Sequence, residues 1–203
     1  MSKGTATKDR LVETATELFL GRGFGAVGTQ EICRRAQVNK GTLYHFFPSK
    51  TDLALAAIMA YAERVGADIE VIAGSDAPPI ARLARLFALS HAANSAWKAE
   101  HGVTCGCLVG NSALELATLD DRVRRALATV LDDWARAAQP IVAALIANGD
   151  VPGIDPALGA RALMAYHQGL ALMAKTHDDP SLIETLAPGG LGLLRTLPTA
   201  PPG

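Results

Sequence analysis

Apolar residues recur at helical spacing along almost the whole chain. Leu11, Ala15, Leu18 and Phe19 fall on one face of a helix predicted over 7–21, which Gly21 and Gly23 end. Phe24 and Val27 are placed to seal the loop that follows. A second, much shorter helix is predicted over 29–36, with Ile32, Cys33 and Ala36 facing inward. Gln37-Val38-Asn39 makes a turn, and Asn39 is a good N-cap for a third helix over 40–46 that turns Leu43 and Phe46 inward. Pro48 stops that helix, and Ser49 caps a longer one over 50–73.

The run 74–79, rich in Gly, Ser and Pro, is a clear break. Beyond it the pattern predicts helices over 80–98, 108–118, 120–148, 156–177 and 181–196, with a frayed tail over 198–203. The third of these pairs early charges with an apolar stripe of Leu127, Leu131, Trp134, Ile141 and Leu145. No alternating strand pattern, repeat or low-complexity tract is present, so the fold class is all-α.

Composition supports this reading. Apolar residues make up 49% of the 203, enough for a sizeable core, and aromatics only 5%, which favours helix over sheet. No run of eighteen or more apolar residues lacks a charge, so no membrane span is expected. The start has no apolar signal core, which predicts a cytoplasmic protein. The net charge of −1 hides an asymmetry, because residues 1–60 carry eight Lys/Arg against five Asp/Glu and the remainder is acidic. A basic head on an acidic body suits a head that meets phosphate.

The two short helices cannot bury a core alone. They make sense as a device that holds the second one out from a body, where it can enter a DNA groove. Such a reader needs an inward apolar triad, a turn of fixed length and a polar outer face. Ile32, Val38 and Leu43 supply the first, and Lys40, Thr42, Tyr44 and His45 the last, while Gly41 lets the backbone come close. Phe46 and Phe47 read as core aromatics, Cys33 as a small core residue, and Arg34 and Arg35 as a solvated face.

Lys40-Gly-Thr-Leu-Tyr-His-Phe-Phe-Pro-Ser-Lys50, followed by Asp52-Leu53, resembles the signature of the TetR family of transcriptional repressors, over roughly residues 8–55. The resemblance implies a homodimer of about nine helices per subunit. It implies an N-terminal three-helix DNA-binding head with a helix-turn-helix over 1–50, and a C-terminal helical ligand-binding and dimerisation domain over 51–203. Carried over by position, Gln30 and Lys40 would reach base edges. Thr29, Thr42, Tyr44, His45 and Lys50 would mainly meet phosphates, with Gly41 close to the duplex. Two departures stand out. Gly28 replaces a hydroxyl cap, and Gln37 replaces a turn glycine, at a cost of about 1 kcal/mol if the turn needs a positive φ.

Gly106-Cys-Leu-Val-Gly-Asn-Ser-Ala-Leu-Glu115 fits a Gly-Cys-x-x-Gly-Asn-x-Ala-x-Glu pattern that resembles one subgroup of the family. Some members of that subgroup sense reactive or unsaturated small molecules. Cys107 lies near a helix start, where amides and the dipole favour a thiolate, and Lys98 and His101 lie upstream. It reads either as a trigger or as a packed thiol. Cys105 and Cys107 would be about 200° apart on a helix, which opposes a metal site or a disulfide between them. Asn111 and Glu115, four apart, would share a face as a buried polar pair, hydrogen-bond to a neighbouring helix, or line a pocket. Trp97, Trp134, Tyr166, His167 and His91 are further pocket candidates for a mid-sized amphiphilic inducer. Small and apolar residues at Leu158, Ala162, Ala165, Gly169 and Leu172, with the last helix, suit a four-helix dimer interface.

The expected function is therefore a ligand-responsive repressor that binds a partly palindromic double-stranded operator as a homodimer and is released by a small molecule or electrophile. No cofactor, metal, catalytic residue or membrane partner is expected. Two other classes compete: a thiol-dependent enzyme using Cys107 with His101, and a non-specific DNA-binding protein, which the acidic body opposes.

Overall fold

The computed structural model describes residues 3–199. Ten helices occur among the described residues: α1 Lys3–Arg22, α2 Thr29–Arg35, α3 Lys40–Phe46, α4 Lys50–Ala73, α5 Pro79–His101, α6 Leu108–Leu116, α7 Asp121–Ala147, α8 Pro156–Thr176, α9 Ser181–Leu186 and α10 Gly189–Thr196. The expected all-α class holds. The one extra helix arises where 181–196 divides at Ala187-Pro188, because Pro188 has no N–H to continue the ladder. The tail reading of 198–203 is corrected at one point, since Thr199 forms an isolated antiparallel bridge with Ile154. Residues 200–203, and Met1 and Ser2 of the start, lie outside the described residues.

The chain forms two compact units. The first takes residues 1–64 and 107–130, and the second 65–106 and 131–203, so α4 and α7 contribute to both. In the first unit α1 packs on α2 and α6, and α2 on α3. Most of its predicted core is in place: Leu11, Ala15, Leu18, Phe19, Val27, Ile32, Cys33, Ala36 and Leu43 are all buried. Burial pushes the Cys33 thiol above its ordinary pKa, which keeps it protonated. Phe47 is buried, whereas Phe46 and Val38 are only half-buried.

In the second unit α9 packs on α5 and α8, and α10 on α8. Leu83, Phe87, Ile141, Leu145, Leu163, Ile183 and Leu194 fill its core. A helix start is well made at α8, where the Asp155 side chain caps the Ala157 N–H at 2.9 Å and Pro156 occupies the first turn without loss of a needed donor.

Candidate functional site

The helix pair is built as the sequence requires. Gly28 precedes α2 in an extended conformation with no side-chain cap. After α2, Gln37 takes φ 53°, the left-handed turn position that glycine would fill without cost. Asn39 then starts α3: its Oδ1 accepts from the Thr42 N–H at 2.7 Å and the Thr42 hydroxyl at 3.1 Å. A side chain at position 41 would press on that cap, since a Cβ there would lie 3.2 Å from Asn39 Oδ1. Behind α3, the Arg10 guanidinium donates to the Ala36 carbonyl at 2.7 Å and ties α1 to the end of α2.

Burial of Leu43 fixes the rotation of α3 and turns Lys40, Gly41, Tyr44 and His45 to solvent, with Tyr44 at 45% exposure. Gln30 is also exposed, and Thr29 and Thr42 are half-buried. A groove of about 740 Å³ runs beside this face, lined by Thr7 and Arg10 of α1 and by Asn39, Gly41, Thr42 and His45.

Lys50 differs from the rest of this set. Its ammonium points inward, donates to the Phe24 carbonyl at 2.5 Å and lies 4.0 Å from the centre of the Phe24 ring. Burial lowers its pKa, and the nearby Glu115 charge opposes that shift. Glu115 itself reaches backbone far away in the sequence. Its two carboxylate oxygens accept from the backbone N–H groups of Phe24 at 2.7 Å and Gly25 at 2.5 Å. Sequence spacing along one helix could place Glu115 on a face but could not reveal a partner ninety residues away.

Cys107 is the N-cap residue of α6, buried, and the Tyr61 hydroxyl lies 4.0 Å from its sulfur. All three cysteines are free thiols. Cys105 and Cys107 do not share a helix, although the angular argument assumed that they do; they lie in the irregular stretch before α6, with Gly106 at φ 74° between them. No cluster of metal ligands occurs among the described residues.

The other candidates lie in the second unit. Tyr166 and His167 flank Phe87, with ring centroids 6.0 and 6.2 Å away. Tyr166 donates to the Leu186 carbonyl at 2.8 Å. His167 Nδ1 is buried with no hydrogen-bond partner, and burial pushes its pKa from 6.5 down to about 4. Trp97 stacks on His101 at 3.9 Å, and its buried Nε1 also lacks a partner. Trp134 is buried in α7, against Gly66 of α4. His91 faces Glu184 at 3.6 Å, and Lys98 is paired with Asp178 at 3.1 Å.

Sequence reasoning missed the buried Asn94 in α5. Its amide clamps both polar atoms of one peptide residue, accepting from Gly106 N–H at 2.8 Å and donating to the Gly106 carbonyl at 3.3 Å. It also missed Asp178, which accepts from the Thr104 N–H at 2.7 Å and is held below the usual carboxylate pKa by that bond and by Lys98. Together they pin the stretch 104–106. An Asn inside a long apolar pattern was the available signal.

Comparison with known proteins agrees with this architecture. Residues 11–57 match the family model described as bacterial regulatory proteins, tetR family, and residues 80–188 match the tetracyclin repressor-like C-terminal domain. Among curated proteins, the transcriptional regulator AcuR of Cereibacter sphaeroides is 36% identical over 84% of this chain and 77% of its own. The transcriptional repressor DhaR of a Mycobacterium species is 30% identical over 84% of this chain and 83% of its own. Among solved structures, a regulatory protein TetR from Rhodobacter sphaeroides superposes with a TM-score of 0.80 at 31% identity, covering 91% of this chain and 97% of that one. The reduced form of Escherichia coli NemR superposes at 0.78 with 22% identity, over 91% and 95%, a likeness of fold. No helix among the described residues is long and apolar enough to cross a membrane. With both of its halves matched by the family's models, the chain belongs to the TetR family of transcriptional regulators.

Proposed function

We propose that this chain is a ligand-responsive repressor that binds a partly palindromic operator as a homodimer and leaves it when a small molecule or electrophile engages the body. In this reading residues 1–50 read DNA, residues 51–203 carry the ligand and the dimer contact, and the protein works in the cytoplasm. The observation that carries it is the presentation of α3, whose polar face is outward while Leu43 and the Asn39 cap hold its register. Gln30 and Lys40 reach base edges, Gly41 allows close approach, and Thr29, Thr42, Tyr44 and His45 meet the backbone. Lys50 is better assigned to holding the loop at Phe24 than to a phosphate. The repressor names of DhaR and NemR support the direction of control.

The test is a binding titration with a duplex from upstream of its own gene. Wild-type protein is expected to prefer it over unrelated DNA of equal length at moderate salt. Lys40→Ala should lose about 1–3 kcal/mol of that discrimination. Equal affinity of wild-type protein for both duplexes would remove the proposal.

For release, we assign Cys107 as the trigger; of the candidate ligand contacts, Asn111 lies in the same unit, and Trp97, Trp134, Tyr166 and His167 are a separate set in the second unit. Support comes from its place at the start of α6, from the Gly-Cys-x-x-Gly-Asn-x-Ala-x-Glu pattern that resembles a reactive-molecule-sensing subgroup, and from the description of one NemR structure as a reduced form. The unpartnered Trp97 Nε1 and His167 Nδ1 offer hydrogen bonds that a ligand would complete. Glu115 leaves this set, because both of its oxygens are already engaged. Cys107→Ser should bind the operator like wild type and no longer release it on treatment with methyl methanethiosulfonate. Undiminished release would leave Cys107 a packing residue.

A further inference from the structure

Phe24 and Gly25 sit in the loop between α1 and α2, four and three residues before the cap of α2 at Gly28. That loop is gripped through main-chain atoms. Glu115 of α6 takes two of its N–H groups, one per carboxylate oxygen, and Lys50 at the start of α4 takes the Phe24 carbonyl. The loop is shaped for this carboxylate. Gly23 has φ +81°, which swings the following amides to one side. A Cβ at Gly25 would lie 2.9 Å from Glu115 Oε1, and one at Gly23 would lie 3.1 Å from Oε2. Two bare α-carbons are therefore what lets a side chain from α6 reach the backbone. Charge-assisted bonds of this kind are roughly twice as strong as neutral ones. Phe19 and Val27, both buried on either side, pass the position of the loop to the core under α2.

We propose that Glu115 is the positioning residue through which α6 sets the DNA-reading helices: seated in the Gly23–Gly25 cradle it fixes the α1–α2 loop and with it the start of α2, and withdrawal of α6 frees both. The proposal rests on α2 and α3 being the operator-reading pair. Glu115 lies eight residues beyond Cys107, about 12 Å along the same helix, so an event at one end of α6 has a mechanical outlet at the other.

Glu115→Gln tests it in the full-length protein, because the amide keeps the shape but offers a donor where the cradle also has donors. Operator affinity is expected to fall at least fivefold. The salt slope should stay unchanged, since no phosphate contact is touched. The direction is diagnostic, because removing a negative charge would by itself strengthen DNA binding. Amide exchange at Phe24, Gly25 and across 29–36 should rise at least tenfold, with α8 unaffected. Gly25→Ala should reproduce this and add less than twofold in the Glu115→Gln background, which also keeps the test open if one variant folds poorly. Unchanged or tighter operator binding together with unchanged exchange in α2 would overturn the inference. If wild-type protein binds no operator, the function proposed above fails, and the exchange measurements alone decide the role of Glu115.

Discussion

His167 shows how much a single ring can say about conditions. Its buried Nδ1 has no partner, and its pKa falls to about 4 because the imidazolium would lose its hydration. The folded state therefore resists a proton that the unfolded chain accepts at its ordinary value of 6.5. Stability should be unaffected above that value and should fall as pH drops from 6.5 toward 4, by at most about 1.4 kcal/mol per pH unit from this group. Urea unfolding of wild type and His167→Phe over that window checks it. The difference between the two should narrow or reverse in favour of the variant as pH falls, and parallel profiles would show that His167 is hydrated. Gln37 carries a different cost. Its left-handed φ is a strain of about 1 kcal/mol placed in the turn of the helix pair.

At the scale of elements, what could be read from the chain was what lies close in sequence. The start of α3 depends on Asn39 and Thr42, three apart, and the Ser49–Asp52 pair that opens α4 is equally local. Apolar spacing placed Leu11, Ala15, Leu18, Phe19, Ile32 and Leu43 in the core because one face of a helix has one fate in a packed domain. The outward set on α3 followed by subtraction. What could not be read was any polar contact spanning many residues. Glu115 on Phe24 and Gly25, Asn94 on Gly106, and Asp178 on Thr104 all join side chains to distant backbone, which leaves no periodic trace. The inward placement of Lys50 has the same origin. A lysine at a helix start is ordinarily an outward cation, and here a carbonyl and an aromatic ring in another segment turned it around. The division of the last helix into α9 and α10 was marked by Pro188 and Gly189-Gly190, which the apolar spacing of the leucines overrode.

At the scale of the molecule, the exposed face of α8 argues for the second copy. Leu158, Leu172 and Met173 are 41%, 48% and 44% exposed there. Ala165 and Gly169 are also exposed on α8. Gly169 has open space around it, so nothing within the subunit explains a residue that costs a helix about 1 kcal/mol relative to alanine. A partner helix approaching closely would explain it. If the proposed homodimer forms through this face, Gly169→Leu should make the subunit's own helix no less stable yet weaken the dimer at least tenfold by sedimentation, with operator affinity falling in parallel. A variant that remains as dimeric as wild type would place the interface elsewhere.

The chain has two tryptophans, Trp97 stacked on His101 and Trp134 buried in α7, and both belong to the second compact unit. The helices proposed to read the operator contain no indole. Tryptophan emission, excited selectively over that of Tyr44, is thus a private channel to one half of the protein. A change in that signal when a duplex is added would be a message that had already crossed the subunit.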